Sequence, residues 1–162
     1  MESQLRQDIT SGEWILFSPK RGSKPDDFKK KSDPRRTSPK GCVFENPKKA
    51  GGKLIKSYPE KGKWALQVVP NRFPAVSFSK NKARIKGKGP YRSVPAYGHH
   101  ELAITRDHDA NFPKISIEDA NLLFTALKDR YRAIAKDKNA AYISIFHNWG
   151  PKAGASVYHP HY

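Results

Sequence analysis

The sequence contains very little cysteine, and its single thiol, Cys42, excludes a disulfide framework within the chain. A reducing, cytoplasmic setting is therefore expected. No apolar run approaches the ~20 residues that a membrane-spanning helix needs. The polar start, MESQLRQDITSGEW, also lacks the apolar stretch of a signal peptide. With 162 residues, the chain has room for one domain around a modest core, and no membrane partner is expected.

Acidic residues are also scarce: 15 stand against 31 lysines and arginines, which gives a formal net charge of +16. The basic residues crowd into 20–40, 48–63 and 80–92, where Gly, Pro and Ser predict long loops at about 20–60 and 77–97. Three interpretations stay open: solvated loops, a funnel for phosphorylated substrates, and a nucleic-acid surface. The basic segments carry few interleaved aromatic residues, so nucleic acid is the least favoured partner.

Apolar runs bounded by turn residues predict four strands, at 12–17, 64–69, 101–105 and 141–146. One helix is predicted from the N-cap residue Ser116. Its apolar stripe comprises Ala120, Leu123, Phe124, Leu127, Tyr131 and Ile134, and its polar face carries Lys128, Asp129, Arg132 and Lys136. Strands followed by one long helix and a further strand indicate an α+β fold, with a mostly antiparallel sheet and the helix packed on it.

Two of the six histidines stand close together, in the segment His159-Pro160-His161. In an extended segment, residues two apart point to the same face, so both imidazoles would share one side of a strand. Pro160 stiffens the pair, because its ring fixes the backbone angle and biases His159 toward an extended conformation. Such a pair can serve as metal ligand and nucleophile side by side.

The residues before this pair add context. A predicted strand ends in Phe-x-Asn-x-Gly at 146–150, and a turn of small residues leads into the histidines. In that turn Gly154 permits a close backbone approach, and Ser156 offers a hydroxyl to a phosphate oxygen. This order of strand, Asn-x-Gly, small-residue turn and His-Pro-His resembles the nucleophile region of the galactose-1-phosphate uridylyltransferase family, within the histidine-triad superfamily.

Three further blocks carry the same resemblance in the same order. Residues 8–25 look like the opening strand and arginine-rich phosphate loop of the family. Residues 70–75, Pro-Asn-Arg-Phe-Pro-Ala, are similar to its Asn-x-(Phe/Tyr)-Pro-Ala segment, and Asp107-His108 before the helix matches its third block. The resemblance thus covers nearly the whole chain and implies a histidine-triad-like half-domain.

The resemblance implies that His161 is a catalytic nucleophile. In the family, the corresponding ring attacks the α-phosphorus of a nucleotide sugar, which gives a nucleotidyl-histidine and releases a sugar phosphate. A second sugar phosphate then takes the nucleotide in a ping-pong transfer that belongs to galactose metabolism. The chemistry needs a neutral imidazole whose second nitrogen is held by an acceptor, and a backbone carbonyl of the same strand is the expected acceptor.

A zinc site is implied beside the nucleophile. His159 and His108 match two of its ligands, and Cys42 matches a third. Many members have Cys-x-x-Cys at this point, whereas this chain has Glu45 three residues after its cysteine. One cysteine, one glutamate and two histidines can still make a tetrahedral zinc site, so Glu45 is the expected fourth ligand.

Substrate-binding residues are implied in the same way, namely Arg21, Lys24, Asn71, Arg72, Asn148 and Ser156. Arg21 and Lys24 match phosphate-binding positions, and so do Asn148 and Ser156. Asn71 matches a contact to the base or ribose. Its neighbour Arg72 stands where typical uridylyltransferases have an acidic residue, so the base remains open between uracil and adenine.

The family pattern continues past position 162, with a glutamine two residues after the nucleophile and a second, pseudo-repeated half. We therefore expect residues 1–162 to correspond to an N-terminal half that is completed by a C-terminal half or by a homodimer. The expected substrates are a nucleotide sugar and a sugar 1-phosphate. Two alternatives stay open: an adenylyl transferase or phosphorylase of the same superfamily, and an inactive basic fragment that binds nucleic acid.

Overall fold

The structure is a computed structural model that describes residues 2–19, 37–78, 84–153 and 155–162. Along the chain the regular elements are β1 (Gln4–Gln7), β2 (Trp14–Phe17), α1 (Pro47–Gly51), β3 (Lys56–Tyr58), β4 (Leu66–Pro70), β5 (Ser93–Pro95), β6 (Glu101–Thr105) and α2 (Ile117–Ile134). Two antiparallel three-stranded sheets and one long helix confirm the predicted α+β class. None of the helices in the described ranges is long and apolar enough to cross a membrane.

The chain divides into two compact units. Unit 1 takes its described residues from Met1–Lys30, Phe73–His100 and Asp137–Ala141, and unit 2 takes them from Lys31–Arg72, Glu101–Lys136 and Tyr142–Tyr162. In unit 1 the strand order is β2-β1-β5, and β1 pairs antiparallel with both neighbours. Every residue of β2 is exposed, although its sequence, WILF, is apolar.

The sheet of unit 2 has the order β3-β4-β6 and is covered on both faces. Successive side chains of a strand point to opposite faces, so the adjacent residues Val68 and Val69 enter different clusters. Val68 lies opposite Ala103 of β6 and packs with Leu123 of α2. Val69 packs with Ile104 and Phe44 on the other face. The His-Pro-His segment belongs to this second face, because Phe44 contacts both of its imidazoles.

Helix α2 begins where the sequence predicts, because the Ser116 hydroxyl accepts a hydrogen bond from the Asp119 amide at 3.0 Å. The predicted stripe, however, is displaced around the helix axis. Leu123 and Ala126 are fully buried, whereas Phe124 of the predicted stripe is 59% exposed. Asp129, predicted on the polar face, accepts a hydrogen bond from the Tyr58 hydroxyl at 2.9 Å. The sheet presents polar partners as well as apolar ones, and hydrophobic spacing alone does not contain this information.

Because the buried stripe is displaced, the neighbouring residues Leu123 and Phe124 should contribute differently to the free energy of unfolding. We expect Leu123→Ala to lower the free energy of unfolding by about 2–5 kcal/mol, because the truncation leaves a cavity between α2 and the sheet. The matched change Phe124→Ala, on an exposed face, is expected to cost less than ~1 kcal/mol. Urea unfolding followed by circular dichroism measures both values, and an equal cost for the two variants would contradict the observed orientation of α2.

The prediction of a fourth strand at 141–146 is wrong, because all six residues lack regular secondary structure. Residue 141 belongs to unit 1, and residues 142–146 belong to unit 2. A strand requires backbone hydrogen bonds to a neighbour, and none within the described residues involves 141–149. The outer edge of β6 is occupied instead at Ala103, which exchanges both backbone hydrogen bonds with Tyr162. Large apolar side chains of this segment therefore remain exposed: Tyr142 is 84% accessible and Phe146 is 60% accessible.

The two long predicted loops also contain regular structure that the sequence did not indicate. Helix α1 and strand β3 lie within 20–60, and β5 lies within 77–97. Each of these elements has only three to five residues, so its own hydrophobic pattern is weak. The two strands exist because distant segments pair with them: β5 pairs with β1, and β3 pairs with β4.

Candidate metal centre and active site

Four side chains that sequence analysis proposed as metal ligands lie together in unit 2, and we call them the four-donor cluster: Cys42, Glu45, His108 and His159. Their potential ligand atoms all lie within 4.8 Å of one another. The Nδ1 atoms of His108 and His159 are 3.2 Å apart, and Glu45 Oε1 lies 2.9 Å from the first and 3.3 Å from the second. Cys42 Sγ lies 3.8 Å from His159 Nδ1.

Backbone carbonyls outside the cluster determine which nitrogen of each ring carries a proton. Nε2 of His159 donates to the Thr105 carbonyl at 2.6 Å, and Nε2 of His108 donates to the Thr37 carbonyl at 2.9 Å. In the neutral rings both Nδ1 atoms therefore present lone pairs, and these lone pairs face each other. Such an arrangement needs a shared proton or a cation between the two nitrogens. Outer hydrogen bonds of this kind are also what orients metal-binding histidines.

The donor set fits a divalent metal ion in both geometry and charge. Two nitrogens that bind one tetrahedral zinc at about 2.0–2.1 Å lie about 3.3 Å apart, close to the observed separation of the Nδ1 atoms. One thiolate, one carboxylate and two neutral imidazoles carry two negative charges, which a divalent ion would neutralise. His159 is fully buried, and this burial lowers the pKa of its ring, so the neutral form that binds metal is favoured.

His161, the predicted nucleophile, is held in a defined orientation next to the cluster. Its Nδ1 donates to the carbonyl of His159 at 2.9 Å, so a backbone carbonyl two residues earlier is the acceptor. The segment itself is not a strand, because it makes only an isolated bridge to Ile104 of β6. The lone pair of the neutral ring is then on Nε2. Burial lowers the pKa of the His161 ring, against the opposing effect of that hydrogen bond. The ring also packs against Phe44 with a centroid distance of 4.9 Å. The arrangement favours a neutral, oriented imidazole.

A cleft of about 390 Å³ opens beside the cluster in unit 2. It is lined by residues 37–38, 40–43 and 156–158. Lys40 contributes a positive charge, and Ser38 and the exposed Ser156 contribute hydroxyl groups. This lining suits an anionic group, and the phosphate contact of Ser156 stays a prediction.

Of the other predicted substrate-binding residues, those that the structure describes do not line this cleft. Asn71 and Arg72 directly follow β4, the first half-buried and the second exposed. Asn148 is exposed in the irregular segment before the final turn. Arg21 and Lys24 lie outside the described residues. All of these substrate-binding roles stay predictions.

Several residues that support this site carry no signal in the sequence that would identify their role. Phe44 packs on both imidazoles, and the carbonyls of Thr37 and Thr105 orient the metal-site rings. His147 donates to the carbonyl of His161 at 2.8 Å. A backbone carbonyl leaves no side-chain signature in a sequence. His147 was visible as a histidine, but its separation from His161 matches no motif spacing, so only the fold relates the two.

Comparison with curated proteins finds relatives along nearly the entire chain. An ADP-glucose phosphorylase from Arabidopsis thaliana is 30% identical over 164 aligned residues, which cover 98% of this chain and 46% of the relative. A galactose-1-phosphate uridylyltransferase from Thermotoga maritima is 28% identical over 98% of this chain and 44% of its own length. The chain therefore spans somewhat less than half the length of these relatives.

Solved structures give the same result. A uridylyltransferase aligns with a TM-score of 0.63 and 27% identity, over 98% of this chain and 43% of that one. The ADP-glucose phosphorylase of Arabidopsis thaliana, solved with bound ADP-glucose, aligns with a TM-score of 0.60 and 25% identity, over 99% of this chain and 47% of that one.

The match to a family model is the broadest finding. Residues 1–162 match the model described as galactose-1-phosphate uridyl transferase, N-terminal domain. The match confirms the resemblance carried by the four sequence blocks, and it agrees with the α+β fold and with the relatives. Relatives of this kind include an ADP-glucose phosphorylase as well as uridylyltransferases. The chain thus belongs to the galactose-1-phosphate uridyl transferase family of nucleotidyltransferases.

Proposed function

We propose that this chain provides the nucleophile of a nucleotidyl transfer from a nucleotide sugar to a phosphate acceptor, and that His161 is that nucleophile. The observation that carries the proposal is the hydrogen bond from His161 Nδ1 to the His159 carbonyl at 2.9 Å. It holds the ring in the tautomer whose Nε2 lone pair is available for attack. Burial of the ring supports the neutral form that the attack requires.

The transfer proceeds in two steps. The Nε2 lone pair of His161 forms a bond to the α-phosphorus, and the bond from that phosphorus to the bridging oxygen breaks. The leaving group is a sugar 1-phosphate, which takes the electron pair of the broken bond. In the second step an oxygen of an acceptor phosphate attacks the same phosphorus, and the electron pair of the phosphorus–nitrogen bond returns to Nε2. Dividing the transfer suits histidine, which is both a nucleophile and a leaving group.

Zinc is the metal that we propose for the four-donor cluster, in a structural role. When bound, it would cross-link the 42–45 turn to His108 and to the His-Pro-His segment that carries the nucleophile. His159 connects the two sites directly, because its side chain belongs to the cluster and its carbonyl holds the His161 ring. The side chain of His159 thus fixes the backbone that orients the nucleophile.

Two nucleotides are candidates for the transferred group. The primary candidate is a uridylyl group, transferred between hexose 1-phosphates, which follows the family model and the uridylyltransferase relatives. The second candidate is an adenylyl group, and the specific observation in its favour is the 30% identical ADP-glucose phosphorylase. Arg72 is the residue of this chain that bears on the choice, because the matching position of typical uridylyltransferases is acidic.

The test is covalent labelling of the chain in the absence of any acceptor. The protein is incubated in parallel with UDP-glucose and with ADP-glucose, each labelled at the α-phosphate. We expect one of them to add a uridylyl or adenylyl mass to the peptide that contains His161, with release of glucose 1-phosphate. A phosphorus–nitrogen bond is stable in alkali and labile in acid, which separates it from a phosphate ester. A folded, zinc-loaded protein that takes neither label would contradict the proposal.

A further inference from the structure

His147 makes a contact with the proposed nucleophile that sequence analysis did not expect. Its Nδ1 donates a hydrogen bond to the backbone carbonyl of His161 at 2.8 Å. The ring is stacked on Tyr162 with a centroid distance of 4.2 Å, and Phe112 meets it edge-on at 5.3 Å. These residues all belong to unit 2. His147 is therefore fixed on two sides by aromatic rings and is directed at the peptide bond that follows the nucleophile.

The geometry of the sheet explains why the His161 carbonyl needs a partner. Ala103 and Tyr162 exchange both of their backbone hydrogen bonds, at 2.8 and 2.9 Å. In an antiparallel pair the polar groups of the next residue point away from the neighbour, so those of His161 point to the outer edge. The segment that was predicted to form a strand does not pair there. His147 takes the place of a strand neighbour and satisfies the His161 carbonyl with a side chain.

The second nitrogen of the His147 ring shows that packing alone does not account for this histidine. Because Nδ1 donates, Nε2 of the neutral ring carries a lone pair, and that atom is buried with no hydrogen-bond partner in the described part of the chain. Burial of an unpaired polar atom is unfavourable, and a phenylalanine would fill the same aromatic environment without it. Within the described residues, the bond to His161 is the one hydrogen bond that the ring makes.

We propose that His147 is a positioning residue for His161. By holding the carbonyl of His161, it fixes the peptide plane after the nucleophile and restricts rotation of the residue that carries the imidazole. The His159 carbonyl then holds the ring from the other side of the same residue. Loss of the His147 bond is expected to slow the first transfer step without weakening the binding of the nucleotide sugar. The effect on transfer rests on the proposed function, whereas the effect on the His161 ring does not.

The test compares two variants that have opposite consequences for bonding and for packing. In His147→Asn the side-chain amide nitrogen is as many bonds from the backbone as Nδ1, so it can donate to the same carbonyl, but the ring is lost. In His147→Phe the ring is kept and the donor is lost. We expect the labelling rate of His147→Asn to stay within ~3-fold of wild type, and that of His147→Phe to fall by roughly 10- to 100-fold.

Stability should change in the reverse order, which separates positioning from packing. His147→Phe removes a buried unpaired nitrogen but also leaves the His161 carbonyl without its donor, and these two effects oppose each other. Because the ring packing is kept, its urea midpoint should stay closer to wild type than that of His147→Asn. His147→Asn leaves a cavity and should unfold at a lower urea concentration. The dissociation constant for the nucleotide sugar should be unchanged in both. If the labelling rates follow stability, with His147→Asn the slower variant, the positioning role is overturned.

A nitrogen NMR measurement of the His161 ring makes the result independent of catalysis. In wild type and in His147→Asn we expect one set of ring signals with the proton on Nδ1. In His147→Phe we expect exchange broadening or a second set, because the ring samples further orientations. Absence of label in wild type with this NMR difference present would reject the proposed function and keep the positioning role. Identical ring signals in all three proteins would reject the positioning role.

Discussion

The His161→Ala variant is expected to acquire no label from either nucleotide sugar, a loss of roughly 10³-fold or more relative to wild type. The reason is chemical, because alanine offers no lone pair to the α-phosphorus, and the neighbouring His159 is fully buried with its Nε2 donated to the Thr105 carbonyl. His108 likewise has its Nε2 donated to the Thr37 carbonyl, so neither imidazole of the four-donor cluster can take over the attack. Mass spectrometry of the intact protein, before and after incubation, measures the result.

A matched control is available in unit 1. His99→Ala also removes one histidine, but His99 bonds to Asp137 at 2.9 Å within unit 1 and carries no role in the proposed transfer. This variant should label at about the wild-type rate. Label that persists in His161→Ala, on any residue, would reject His161 as the nucleophile, and equal losses in both variants would indicate a general loss of folding instead.

Removal of the metal is the second change for which we expect a large effect. Purified wild type should contain about one equivalent of zinc per chain, and His108→Ala should contain much less, because a tetrahedral site loses one of its four ligands. Binding of a structural metal contributes directly to folding. If it contributes several kcal/mol, a strong chelator should lower the melting temperature of wild type by about 10 °C or more. The same chelator should have little effect on His108→Ala.

Elemental analysis and thermal unfolding with and without chelator test this prediction. His99→Ala again serves as the control, because it lacks one histidine outside the cluster and should keep both the metal and the response to the chelator. A wild-type protein that is folded without metal, and that is not stabilised by added zinc, would show that the four-donor cluster has no metal-binding role.

The unusual ligand of the cluster allows a finer comparison. Glu45 is the most exposed of the four donors, and its carboxylate stands where many family members have a second cysteine. We expect Glu45→Ala to weaken zinc binding and Glu45→Cys to retain it, since thiolate is a preferred zinc ligand. Competition with a chromophoric chelator measures both affinities, and weaker binding by Glu45→Cys than by Glu45→Ala would exclude this position from the metal shell.

Much of unit 2 was predictable because its elements carry local signals. Helix α2 is indicated by its N-cap, and the observed hydrogen bond to Ser116 agrees with that indication. Strand β6 begins and ends at the predicted residues, Glu101 and Thr105. Each of these signals concerns neighbours along the chain, where spacing and residue type are sufficient. The His-Pro-His segment was recognisable for the same reason.

The errors have a different physical origin. The strand predicted at 141–146 has the right side chains but no backbone neighbour in the described structure, whereas β5, which has a weak pattern, is formed through β1. Pairing depends on which segment arrives at an edge, and this is a property of the whole chain. The same holds for the orientation of α2, which hydrogen bonds from Tyr58 and Lys56 to Asp129 help to determine.

In the candidate site, too, some features follow from the sequence and others are determined only by the fold. The residue types and their order are enough to identify Cys42, Glu45, His108 and His159 as potential ligands and His161 as a potential nucleophile, because donor chemistry belongs to each side chain. The protonation pattern of the rings is not contained in the sequence. The carbonyls of Thr37, Thr105 and His159 select which nitrogen of each imidazole keeps its proton, and His147 holds the carbonyl of His161. Backbone carbonyls are the same in every residue, so only the folded arrangement determines which of them faces a ring, and with it where each lone pair points.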